Sequence, residues 1–350
     1  EHRRFYENLL CEESLHRRKR EGRLREQEEK GVRNMKTAVI CNAGAGKRLP
    51  AGEVLPQLRR FFPEDVLLTT DPEWGDLEPV PWDSDDNSYT GILEAKVTAL
   101  VQAGAERFVC IGGDGTATYV STALYRLGRK LPILGIAAGT ANVGPIVSLT
   151  LKQLEGRTVS DAREISCDGI AVCGNGELIS LSYNDLVIGD TFLATFDGSV
   201  CNVSVRALLE TGRLVPKSPS RKITAANFTV LKNGVPMPLE GERVEQIVVS
   251  SAARESHYGR AVYGPICKCD WREEKGVVAL CDHIPVSFEE DCAGISRFSH
   301  MQYLLFGPQD RISLGGFTRD AWVVCDGNPY PMPDSLEVRY LPRLARILTL

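Results

Sequence analysis

The sequence predicts an N-terminal doubly wound parallel α/β domain followed by a mostly antiparallel β-sandwich domain. Two observations carry this reading. From Lys36 to about residue 165, short β-branched runs alternate with longer amphipathic stretches, the pattern of a parallel sheet covered on both faces. Beyond that point strand-like runs follow one another with turn residues between them and almost no helical periodicity. At 350 residues the chain is long enough for two sizeable cores.

Residues 1–34 mix Arg, Lys and Glu around a few leucines and read as a charged helical extension, with no catalytic role assigned. The α/β domain, residues 35–165, then runs "TAVICN" strand, "GEVLPQLRRFF" helix, "VLLTT" strand, "GILEAKVTALVQAG" helix, "RFVCI" strand, "TYVSTALYRLG" helix and "PILGI" strand. The second domain, residues 166–350, opens with a hairpin around Gly174-Asn175-Gly176. Strands follow in "KITAANFTVL", "EQIVVSSA", "GVVALCD", "RISLGG", "AWVVCDG" and "LEVRYL", with one helix over Val203 to Thr211.

Composition excludes several classes. A net charge of -5 gives no basic footprint for a nucleic-acid backbone, and no uncharged apolar run is long enough to span a bilayer. Most of the eleven cysteines sit inside apolar runs, where cysteine acts as a small hydrophobe, so a reducing, cytoplasmic setting is expected. Cys267 and Cys269, with His257, Cys281, His283 and Cys292 nearby in sequence, invite a zinc reading. Without paired C-x-x-C knuckles, two cysteines on one buried strand face is the better account of "ICKCD". His283 and His300 have no partner that the sequence names.

Ligands of doubly wound sheets bind beyond the carboxyl ends of the strands, so three loops matter. These are "NAGAGKR" from Asn42 to Arg48, "GGDGT" from Gly112 to Thr116 and "AAGTAN" from Ala137 to Asn142. Glycines there let backbone N–H groups cradle phosphate oxygens at a helix N-terminus. An aspartate in such a loop is costly beside phosphates unless it holds a cation or takes a proton from an attacking hydroxyl. The bland alternative makes Asp114 the N-cap of a helix starting near Thr116. A second glycine loop in the adjacent βα turn, Gly139-Thr140-Ala141-Asn142, favours a shared phosphate ligand. The first loop is no Walker A motif, since Cys41 and Arg48 stand where glycine and Ser or Thr are needed; Gly46, Lys47 and Arg48 could still meet a phosphate tail.

"GGDGT" after a buried strand, followed one βα unit later by "GTAN", resembles the superfamily of NAD kinases, diacylglycerol kinases and sphingosine kinases. Within it the chain is similar to ATP-NAD kinase-like proteins related to acetoin-catabolism protein X. "AVICNAGAGK", "SYNDLVIGD" and "VVCDGNPY" resemble further elements of that superfamily, from Lys36 to the C-terminus. The resemblance implies an ATP-dependent kinase using Mg2+, with NAD as the favoured hydroxyl acceptor. It implies Asp114 as catalytic acid/base, and Asn42, Gly112, Gly113, Gly115, Thr116, Gly139, Thr140 and Asn142 as phosphate or nucleotide contacts. Asn184 and Asp185 would meet adenosine or metal, Asp326 is a weaker candidate, and a homo-oligomer is implied. The G-S-T-A-Y segment that helps NAD kinases hold NAD is missing; the nearest run is "TFDGSV". A lipid kinase and a non-catalytic nucleotide sensor are the alternatives. Tyr258 and Arg260, beside His257, read as a hairpin turn.

Overall fold

The computed structural model describes residues 34–42, 49–138, 142, 144–197, 199–240, 244–251, 275–285 and 300–350. Its N-terminal part runs β1 (Lys36–Cys41), α1 (Ala51–Phe61), β2 (Val66–Thr69), β3 (Glu78–Pro79), α2 (Tyr89–Gln102), β4 (Arg107–Gly112), α3 (Asp114–Arg126), β5 (Pro132–Ala137) and β6 (Val147–Leu149). These strands are parallel, in spatial order β5-β4-β1-β2-β3, with β6 on β5. Every residue of β4, "RFVCIG", is buried, as a strand covered on both faces requires. One face packs Phe108, Cys110 and Ile133 against Leu93 and Val97 of α2 and Val120 of α3. The other packs Val109, Ile111 and Leu134 against Val54, Leu58 and Phe61 of α1. Each such large apolar side chain is worth about 1.5–3 kcal/mol on burial.

The β-rich part begins with β7 (Arg163–Gly174), β8 (Glu177–Ser182) and β9 (Leu186–Gly189). The β7–β8 hairpin turns on Asn175 and Gly176, both at positive φ, as the sequence predicts. A sheet of six strands then runs Met301–Phe306, Gly276–Cys281, Gln246–Ser251, β9, Trp322–Cys325 and Asn328–Tyr330. Its inner residues Ile188, Val249, Val278 and Val323 share a core with Val172, Leu314 and Val338, which stand on the larger sheet. Two sheets packed face to face make the predicted sandwich.

The larger sheet also crosses from one part into the other. The C-terminal strand Leu336–Thr349 pairs antiparallel with β7 along most of its length, antiparallel with Ile312–Phe317, and parallel with β5 at Arg346 and Ile347. The parallel and antiparallel strands therefore form one hydrogen-bonded surface. The helix predicted over Val203 to Thr211 is α4, Val205–Thr211, capped by Ser204, whose Oγ accepts from Ala207 N. Residues 1–33 lie outside the described residues.

Cysteine behaves as its composition suggests. Cys110, Cys167, Cys281 and Cys325 are buried thiols, and burial pushes Cys110 up to about 12. Cys267, Cys269 and Cys292 lie outside the described residues, as do His257, Tyr258 and Arg260. His283 and His300 share one partner, with each ring Nδ1 near an Asp282 oxygen, at 3.1 and 3.2 Å.

Candidate active site at the first turn of α3

The strand order reverses between β1 and β4, so the loops that follow them diverge and leave a crevice at their carboxyl ends. Residues from both sides meet there. Asn42, just past β1, donates from its amide nitrogen to Thr116 Oγ1 at 3.0 Å, and its backbone N–H bonds Ile111 O at 2.9 Å. The loop after β5 joins them through Gly144, whose N–H donates to Asp114 Oδ2 at 2.9 Å. The segment just past the second glycine loop thus touches the first at Asp114. Gly46, Lys47, Gly139 and Thr140 lie outside the described residues; Asn142 is half-buried beside the crevice loop.

Asp114 is not the helix cap. Gly113 holds that position in an extended conformation, and Asp114 is the first helical residue, two positions earlier than the sequence predicts. A carboxylate in the first turn complements the helix dipole. It also occupies the helix end at which an anion is otherwise favoured, and its Oδ2 accepts from the loop after β5. It is 8% exposed, sheltered from bulk water yet at the crevice edge.

Close packing explains these glycines. A Cβ on Gly112 would stand 2.8 Å from Thr116 Oγ1, and one on Gly115 would stand 2.4 Å from Asn328 Oδ1. Gly144 is equally constrained, 3.0 Å from Asp114 Oδ1. The backbone of α3's first turn is thereby pressed between Asn42, Gly144 and Asn328.

Asp326 organises the other side. With Gly327 it forms the two-residue turn between Trp322–Cys325 and Asn328–Tyr330, both turn residues at positive φ. Its buried carboxylate accepts from Thr118 Oγ1 at 2.5 Å, Ser182 Oγ at 2.9 Å, and the N–H groups of Tyr183, Asn184 and Asp185 at 2.8, 2.8 and 3.1 Å. Thr118 lies one turn along α3 from Asp114, and Asn328 Nδ2 donates to Gly115 O at 2.9 Å. A single turn therefore ties the helix that carries Asp114 to the Asn184-Asp185 segment. Asn184 Nδ2 donates to Asp185 Oδ2 at 3.0 Å, while Asn184 Oδ1 is buried with no hydrogen bond, the condition of a carbonyl that a ligand completes.

Three participants escaped the sequence reading. Gly144 stands two residues past "GTAN", Asn328 follows the flagged Asp-Gly pair, and Thr118 belongs to a hydroxyl-rich stripe on α3. That stripe was legible as Thr118, Ser121 and Thr122 on neighbouring turns, but its burial was not, because its partners lie tens to hundreds of residues away.

Residues 36–147 match the diacylglycerol kinase catalytic domain. Among solved structures, a candidate diacylglycerol kinase from Bacillus anthracis superposes with a TM-score of 0.55 at 12% identity, covering 90% of this chain and 97% of that one. A diacylglycerol kinase from the same organism gives 0.50 at 10% identity, again over 90% and 97%. Yeast NADH kinase complexed with NADH gives 0.48 at 11% identity over 90% and 82%. No curated protein sequence matches the chain. Residues 36–147 thus carry a kinase-type catalytic domain, and the fold is shared with the two superposed Bacillus anthracis proteins. No helix among the described residues is long and apolar enough to cross a membrane.

Proposed function

We propose that the chain transfers the terminal phosphate of ATP to the hydroxyl of an apolar, lipid-type acceptor, with Asp114 as general base. The placement of Asp114 carries this reading: one carboxylate at the first helical position, where three loops from the sheet's carboxyl edge meet. In the proposed step Asp114 takes the proton of the acceptor hydroxyl as that oxygen bonds to the terminal phosphorus. The bond from phosphorus to the bridging oxygen breaks, and ADP leaves. The backbone around Gly112, Gly113, Gly115 and Thr116 positions the phosphates, and Asn42 and Asn142 contact the nucleotide, with Gly46, Lys47, Gly139 and Thr140 proposed as further contacts on their sequence alone.

The oxygen donors of the Asn184-Asp185 pair, a carboxylate and an amide carbonyl, suit a hard cation such as Mg2+. Among the described residues no cluster of three or more acidic, His or Cys side chains exists, so these residues would hold the ion together with phosphate oxygens. When bound, it neutralises charge on the transferring phosphoryl group.

Two observations favour a lipid-type acceptor over NAD. The matched domain is that of diacylglycerol kinases, and the β-rich part contains an apolar cavity of about 200 Å³ walled by Val230, Met237, Leu239, Val278 and Leu280. NAD is the second reading, supported by the open carbonyl of Asn184, which suits a polar nucleoside. One assay separates them: ATP labelled on its terminal phosphate, Mg2+, and diacylglycerol, a sphingoid base or NAD as acceptor. Label in a lipid product supports the proposal; label in NADP alone transfers it to NAD. ATP binding without any labelled product would leave a nucleotide sensor and contradict both.

A further inference from the structure

We propose a second ligand site, for a single-chain anionic amphiphile, at the far end of α3 from Asp114. A cavity of about 580 Å³ opens there between the end of α3, the start of β5 and the C-terminal strand. That volume suits one small ligand. From Asp114 to Tyr125 the helix advances about 16 Å, so the cavity lies at the opposite edge of the sheet from the glycine loops.

Its chemistry has two halves. Leu124, Ile133, Leu341 and Leu344 form an apolar wall. Arg129, Lys130 and Arg343 are exposed at its rim, no carboxylate lines it, and none of the three forms an ion pair among the described residues. On a chain of net charge -5, three cations left unmatched around one apolar hollow favour an anionic head with a hydrocarbon tail. The backbone of the rim is also held in place at Arg343. Register shifts between Leu341 and Ala345, and Arg343 takes a left-handed φ of 49°. Its N–H donates to Asp168 Oδ1 at 2.6 Å, and Lys130 Nζ donates to its carbonyl. The irregularity falls where the strand lines the hollow. Because the cations converge on a concavity, the occupant is one monomeric amphiphile and not a lipid surface.

The cavity is linked to the Asp326 turn by named contacts. Ser121 lines the cavity and its Oγ lies 2.5 Å from Tyr183 OH, while the Tyr183 N–H is held by Asp326.

The test is calorimetric titration of the whole chain with monomeric dodecyl phosphate, with inorganic phosphate, dodecanol and phosphatidylglycerol vesicles as controls. Dodecyl phosphate should bind the wild type and bind Arg129→Gln/Arg343→Gln about tenfold or more weakly, since two charge-assisted contacts are lost. Both side chains are exposed, so the variant should keep its melting temperature and its phosphotransfer. Inorganic phosphate and dodecanol should bind weakly at best. Unchanged affinity in the double variant would place the amphiphile elsewhere, including a lipid-acceptor site, and overturn the assignment. So would no binding to the wild type, or binding of vesicles in preference to monomer.

Discussion

At the scale of single residues, Asp114 and Asp326 are both buried aspartates beside glycines, yet the proposed function gives them opposite tasks. Asp326 spends its oxygens on five donors within the protein, so it positions; Asp114 accepts the Gly144 N–H at the first turn of α3 and is the group to which the proposed step assigns the acceptor proton. Asp326→Ala should therefore cost on the order of 4 kcal/mol of stability, since several buried donors lose their acceptor, as read by denaturant unfolding. A loss below about 1 kcal/mol would mean that water replaces the carboxylate. Gly115→Ala should push α3 from Asn328, lowering stability by about 1–3 kcal/mol and reducing ATP affinity in the same titration. The sequence marked both aspartates and the glycines around Asp114. It could not separate their roles, because the donors to Asp326 lie more than 140 residues before it.

At the scale of elements, the parallel strands and their helices were legible because continuous apolar runs and 3.6-residue periodicity state them locally. The start of α3 was not. Gly113 is extended enough to serve as cap, which lets the helix begin on Asp114 and turns its carboxylate from a capping acceptor into a crevice group. Turns in the β-rich part depend on side chains in ways that pH reports. The Gly307 N–H, 2.8 Å from Asp310 Oδ2, holds that carboxyl down to about 2, with Lys232 and Asn233 adding to it. A depressed carboxylate contributes stability above its ordinary value of 3.8, and the contribution fades as pH falls through about 2. Asp310→Asn should lower the melting temperature at pH 7, and the gap to wild type should close as pH approaches 2. A gap independent of pH would assign the turn's stability to shape alone.

For the whole molecule, the two parts are joined by the strand Leu336–Thr349, which completes the parallel sheet beside β5 while pairing with β7. No local pattern announces this. "LEVRYL" reads as a strand, but nothing near it in sequence shows that its end crosses to a sheet built some two hundred residues earlier. A chain ending at residue 335 should lose both halves together, seen as the loss of one cooperative unfolding transition; survival of a folded 35–165 fragment would contradict that. The same connection places the Asn184-Asp185 segment and the first turn of α3 against one Asp-Gly turn, so that the site exists only in the assembled fold.

The most direct test of the account is transfer of labelled terminal phosphate from ATP, measured for wild type and Asp114→Asn side by side over the three acceptors. The asparagine keeps the shape and can still accept the Gly144 N–H, so melting should be unchanged while product formation falls by about a hundredfold or more. Full activity in the variant would contradict the assignment of Asp114 as the base.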